Sequence, residues 1–130
     1  MEITFDGAKV ITAHINGHII RTDQPLDNGG GNTAPAPFEL FLASIGTCAG
    51  IYVKSFCEKR QIPADGIKII QTMEFDEEKK LNSIFKLDIQ LPSGFPEKYR
   101  EAVINAAELC LVKKTINNRP EFKVTSSIQQ

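Results

Sequence analysis

The sequence predicts an α+β fold with a mostly antiparallel sheet, in the order βββ-α-ββ-α-α-β. Three observations lead there. The first 22 residues read as alternating strands broken by Asp6-Gly7 and Asn16-Gly17. A long apolar run follows, uncharged from Leu40 to Val53 and helical in its spacing. Two further alternating stretches precede a second helical segment. At 130 residues the chain is read as one domain, 1–130, large enough to bury a core.

Taken in order, Ile3–Phe5, Lys9–Ile15 and a third strand ending near Arg21 form a β-meander. Both turn dipeptides suit two-residue hairpins, where positive φ is needed. The stretch DQPLDNGGGNTAP, residues 23–35, is a loop too rich in Gly, Asn and Pro for a helix or a central strand. Pro37 suits a first helical turn, and Glu39 lies near the positive helix end. The helix runs to about Arg60 and is closed off by Pro63 and Gly66. Ile67, Ile69, Met73 and Phe75 then alternate with more polar residues, as do Leu81, Phe85, Leu87, Ile89 and Leu91 after a turn at Asp76–Lys80. Gly94-Phe95-Pro96 opens a second helix over about Pro96–Leu109. A short helix spans Leu111–Asn117, and Phe122, Val124, Ser126 and Ile128 alternate as a last strand.

Composition excludes some functions. With 42% hydrophobic and 24% charged residues, the chain is an ordinary globular protein. A net charge of −1 lacks the footprint of a nucleic-acid binder, and the clusters Lys54, Lys59, Arg60 and Lys113, Lys114 read as solvated faces. The uncharged run is taken as a buried helix, short of a membrane span. MEITFDGAK has neither a basic start nor an apolar core, so no secretory signal is expected. Three unevenly spaced cysteines make a poor disulfide framework, and a reducing, cytoplasmic setting is expected.

The long helix is apolar on nearly every side, and such a helix must be covered all round. One small sheet covers one side. The rest is expected from the second helix and another subunit, giving a homodimer in which Gly46, Ala49 and Gly50 let backbones approach. The alternative is that helix 96–109 does the covering alone. Cys48 lies among these small residues. As a free thiol it can be a small packing hydrophobe. A reactive Cys48 needs a cation brought by the fold, because burial raises a thiol pKa and the helix dipole fades after the first turn. Arg21 is the first candidate.

Other candidates are weaker. Cys57 follows Cys48 by nine residues, about half a turn out of phase, and reads as packing. His14 and His18 flank Asn16-Gly17, but a two-residue hairpin pairs His14 with Ile19 and Ile15 with His18, on opposite faces. No metal or cofactor is expected there. Gly29–Gly31 lack the Lys-Ser/Thr and the strand–helix setting of a phosphate loop.

The segment APAPFELFLASIGTCAGIYVKSFCEKRQIP, with a later cysteine in ELCLVKKTI, resembles the OsmC/Ohr superfamily. The resemblance covers nearly the whole chain in length and element order. It implies an intertwined dimer with central helices at the interface, Cys48 as peroxidatic thiol and Cys110 as resolving thiol. It implies reduction of organic hydroperoxides with a small dithiol or a dithiol protein as reductant, and an Arg and a Glu, here Arg21 and Glu39, near the first thiol. A thiolate attacks the O–O bond, a sulfenic acid forms, and a second thiol converts it to a reducible disulfide. A guanidinium favours the thiolate and can hydrogen-bond the peroxide.

The chain departs from the family pattern at two motif positions, and a longer loop follows Arg21. Phe38 stands where the peroxidase branch carries Glu, with Glu39 one position later. A one-place shift re-aims a helical side chain by about 100°, so Glu39 is expected to complement the helix N-terminus. Leu111 follows Cys110 where the family shows Pro. Two other classes stay open: a non-catalytic module binding a small apolar or thiol-bearing metabolite, and a cysteine redox sensor.

Overall fold

The computed structural model describes residues 1–129. The strands are β1 (Glu2–Phe5), β2 (Ile11–Ile15), β3 (His18–Thr22), β4 (Lys68–Asp76) and β5 (Leu81–Gln90). The helices are α1 (Pro37–Lys59), α2 (Arg100–Glu108) and α3 (Leu111–Asn117), with single 3₁₀ turns at Leu26–Asn28 and Glu97–Tyr99. The chain divides into two compact units, Met1–Ser44 and the residues from Ile45 onward, so α1 contributes to both.

In the first unit β1, β2 and β3 form an antiparallel sheet in sequence order. Asn16 and Gly17 adopt φ of 50° and 79°, and Ile15 pairs with His18, which is the two-residue turn that Asn-Gly favours. The first turn differs from expectation. Phe5 pairs with Ile11, so residues 6–10 all belong to the loop, and β2 starts at Ile11, not Lys9. Gly7 and Ala8 both take positive φ there, and Asp6 and Val10 close the loop by backbone hydrogen bonds of 3.1 and 3.0 Å.

The loop after β3 is organised around Asp23, whose side chain is buried. Its carboxylate accepts hydrogen bonds from the N–H groups of Gln24 (2.8 Å), Gly31 (3.2 Å) and Thr33 (3.0 Å) and from the Thr33 hydroxyl (2.6 Å). Four donors repay the burial of one charge. The Thr33 hydroxyl, followed by the Thr33 and Gln24 amides, draws the Asp23 pKa down to about 2.

In the second unit β4 and β5 form an antiparallel hairpin with a register shift at Glu74/Phe75. The core is built from Ala49, Val53, Phe56 and Cys57 of α1 with Val103 and Ala107 of α2, all buried, and Ile69, Leu87 and Ile89 of the hairpin pack against it. These α1 positions recur at helical spacing and form one face. Phe56 meets Tyr99 edge-on at 6.0 Å between centroids, and the Arg60 guanidinium lies 3.8 Å over the Phe56 ring. The opposite face of α1 stays open, with Ile51 56% exposed.

Gly46 and Gly50 both face β4: a Cβ at Gly46 would stand 2.8 Å from Gln71 Oε1, and one at Gly50 would stand 3.8 Å from Ile69 Cδ1, an ordinary contact. Two expectations need correction. The last strand does not form: Phe122, Val124 and Ile128 are 84%, 95% and 94% exposed, and residues 120–129 join no ladder among the described residues. Alternation supplies a face, but a strand also needs a neighbouring edge to bond. Finally, α1 is by length and composition long and apolar enough to cross a membrane, with a mean hydropathy of 1.5. The sequence reading counted only its uncharged stretch. A core helix meets the same criterion, and the core of the second unit is packed on α1.

Candidate functional site

Cys48 stands on the half-buried side of α1, one turn beyond the buried Ile45. Cys110 is fully buried and is the residue that precedes the first turn of α3. The fold brings the two together: the Cys110 thiol hydrogen-bonds to the Cys48 sulfur. All three cysteines, Cys57 included, are free thiols.

The surroundings of Cys48 favour its thiolate. The first turn of a helix has N–H groups with no partner inside the helix. Those of Val112 and Leu111 are donated to the Cys48 sulfur. The Val112 amide is the largest influence and lowers the thiol pKa; burial opposes it. The Cys110 thiol, the Leu111 amide and the Lys113 charge then add to the lowering, and the outcome is a pKa below that of an ordinary cysteine. Cys110 shifts the other way. Burial raises it first, the hydrogen bond to Cys48 holds its proton, and the amides of Lys113 and Val112 only partly offset this. The two shifts run in opposite directions, toward the anion at Cys48 and toward the protonated thiol at Cys110.

Three contributors were missed in the sequence. The sequence reading weighed only the dipole of α1 at Cys48, whereas the amides that act there belong to another helix. Their signal was the departure at residue 111. A proline there would have no N–H, whereas Leu111 has one to donate. Lys113, read as solvated, has a side chain only 22% exposed and pairs with Glu108 at 3.0 Å.

Arg21 and Glu39 lie in the first unit. Arg21 is exposed on β3 opposite Thr12, and its charge acts on Asp6. Asp6 also accepts hydrogen bonds from Thr12 and Thr4, and the Thr12 bond is the main cause of its lowered pKa. Glu39 reaches back so that the Ala36 N–H donates to its Oε2 at 2.7 Å, as in a helix capping box. That is the N-terminal role expected for Glu39. Cys57 is fully buried in the core, where desolvation raises its pKa, as suits a packing residue. His14 pairs with Ile19 in the ladder, and its Nε2 lies 3.2 Å from Thr4 Oγ1.

An α+β chain with a central helix carrying one thiol of a hydrogen-bonded pair is the class that this fold and site define. The sequence model described as "OsmC-like protein" matches residues 29–125, and the chain belongs to that family. Among solved structures, it is similar to a Psychrobacter arcticus 273-4 protein named for an osmotic stress induced and detoxification response. That match has a TM-score of 0.73 and 22% identity, covering 88% of this chain and 85% of that one. A structural-genomics target aligns with a TM-score of 0.67 and 21% identity over 91% of this chain and 88% of its own. An organic hydroperoxide resistance protein OsmC from Legionella pneumophila aligns with a TM-score of 0.48 and 19% identity, covering 87% and 90%. No curated protein matches the chain.

Proposed function

We propose that this protein is a thiol-dependent peroxidase that reduces organic hydroperoxides, acting as a homodimer in the cytoplasm with a dithiol reductant. The observation that carries the reading is the Cys48–Cys110 pair, whose surroundings favour the anion at Cys48 and the protonated thiol at Cys110. The Cys48 thiolate attacks the terminal peroxide oxygen. The O–O bond breaks, its electron pair leaves with the alkoxide, and the alkoxide takes a proton to become the alcohol. Sulfur is oxidised by two electrons to the sulfenic acid. Cys110 sulfur then displaces the hydroxyl group, the S–S bond forms, and water leaves. An external dithiol restores both thiols by exchange and is itself oxidised to a disulfide.

Lys113 supplies a cation at the reacting sulfur, and Arg21 is the second candidate for that role. The open apolar face of α1 supports the dimer, since an uncovered helix face of this kind calls for a partner surface. Family membership supports a stress and redox setting.

The test is peroxide consumption with a dithiol reductant. The wild-type chain consumes tert-butyl hydroperoxide catalytically, and Cys48→Ser abolishes consumption. A disulfide that forms once, without turnover, makes the protein a redox sensor instead. No reaction of Cys48 with any peroxide removes the redox reading and leaves a binding module.

A further inference from the structure

Cys110 sits at a corner of the chain. With Leu109 it forms the link between α2, which ends at Glu108, and α3, which begins at Leu111. An ion pair bridges that corner: Lys113 Nζ lies 3.0 Å from Glu108 Oε2. Both charges stand where a helix disfavours them. Glu108 closes α2 at its negative end, and Lys113 falls in the first turn of α3, at the positive end. Helix electrostatics therefore give neither residue a reason for its place, whereas the bridge gives one to both.

Lys113 is the half of the pair that faces inward. Its side chain is 22% exposed, against 70% for Glu108. It shares the wall of a depression with Ile45 of α1 and Leu87 of β5, and Ile45 is one turn from Cys48 along α1. Its backbone N–H is donated to the Cys110 sulfur, and its charge acts on the Cys48 sulfur. A lysine ammonium is strongly hydrated and rides on a flexible four-carbon stem, so without an anchor it turns toward water. Glu108 supplies the anchor from the rim of the site and keeps most of its own hydration.

We infer that Glu108 is a positioning residue: it anchors the Lys113 ammonium across the α2–α3 corner and so keeps that cation beside the Cys48–Cys110 pair. Glu108 acts through Lys113 and not on the sulfurs directly. The inference rests on the peroxidase reading for its effect on turnover, while its effect on Cys48 is read without any peroxide.

The experiment follows iodoacetamide alkylation of Cys48, by peptide mass, at a pH below its midpoint. Two roles for Glu108 predict opposite signs. A carboxylate that only neutralises Lys113 weakens the cation, and Glu108→Gln then speeds alkylation. A carboxylate that anchors Lys113 holds the cation in place, and Glu108→Gln then slows it. The expected slowing is about two- to fivefold, the scale of a partly exposed charge pair. Lys113→Gln slows alkylation by a similar factor. The double variant is no slower than Lys113→Gln alone, because the anchor has nothing left to hold. Glu108→Asp restores part of the rate. Glu101→Gln, at an exposed acid elsewhere on α2, leaves it unchanged. In peroxide turnover, kcat/KM falls in Glu108→Gln by the same factor as alkylation.

Faster or unchanged alkylation in Glu108→Gln overturns the inference. So does a double variant slowed by the product of the two single effects. If the alkylation pattern holds in a protein that consumes no peroxide, the anchoring role stands and the peroxidase reading falls. If peroxide is consumed and the pattern is absent, the anchoring role falls and the peroxidase reading stands.

Discussion

At the scale of single residues, the environment of Cys48 makes its titration the most direct measurement. A lowered pKa means that thiolate is present at lower pH than in free cysteine, so Cys48 alkylation by iodoacetamide rises with pH along a curve displaced to the acid side. Lys113→Gln moves that curve back toward ordinary cysteine, because the charge that favours the anion is removed. Arg21→Gln, run alongside, shows whether the second candidate contributes. Cys57 stays unreactive until the chain unfolds, since it is fully buried and its pKa is raised. Asp23 has its own pH signature. Its folded value of about 2 lies below the ordinary aspartate value, so its stabilising contribution is complete above about pH 4 and lost as the pH falls toward 2. Asp23→Asn removes that part of the acid-unfolding slope, read by circular dichroism against pH.

Among the elements, the loop between β3 and α1 and the helix pair α1–α2 carry separate predictions. A Cβ at Gly30 would stand 2.0 Å from the Gln24 backbone oxygen, a contact that no side-chain rotation relieves. Gly30→Ala therefore displaces the loop backbone and destabilises the protein by about 1–3 kcal/mol in denaturant unfolding. Val103 is fully buried between α2 and the core face of α1. Val103→Ala removes two methyl groups and leaves a void, costing about 2 kcal/mol by the same measurement. Neither residue is among the groups that act on the Cys48 sulfur, so the acid displacement of the Cys48 alkylation curve survives both changes. The extents of α1 and α3 were legible because Pro37, the apolar spacing and the Cys110-Leu111 boundary are local signals. The first hairpin was misread because Asp6-Gly7 fits both a two-residue and a five-residue loop, and only the pairing of Phe5 with Ile11 decides between them.

For the molecule as a whole, the apolar tail and the open face of α1 belong to the same question. Phe122, Val124 and Ile128 alternate as a strand does but join no ladder among the described residues. If they complete an interface in the proposed dimer, a chain ending at Arg119 has a weaker self-association constant in analytical ultracentrifugation. An unchanged constant excludes the tail from that interface. This question also marks the limit of what the sequence disclosed. Periodicity reports which face of an element is apolar, and so gave the helices, the hairpin and the core side of α1. It cannot report what lies against that face, and so left the Gln71 and Ile69 neighbours of Gly46 and Gly50 unread. The pairing of Cys48 with Cys110 entered through family resemblance, while the amides of Leu111 and Val112 were out of reach because backbone donors carry no residue signature. The closeness of the two sulfurs has a further consequence. Under the proposed peroxidase cycle, a sulfenic acid formed on Cys48 would meet Cys110 without a conformational search, leaving a second peroxide molecule little time to drive it on to the sulfinic state. An enzyme of that kind would remain in service under an oxidant surge that inactivates thiol enzymes whose partner must first travel.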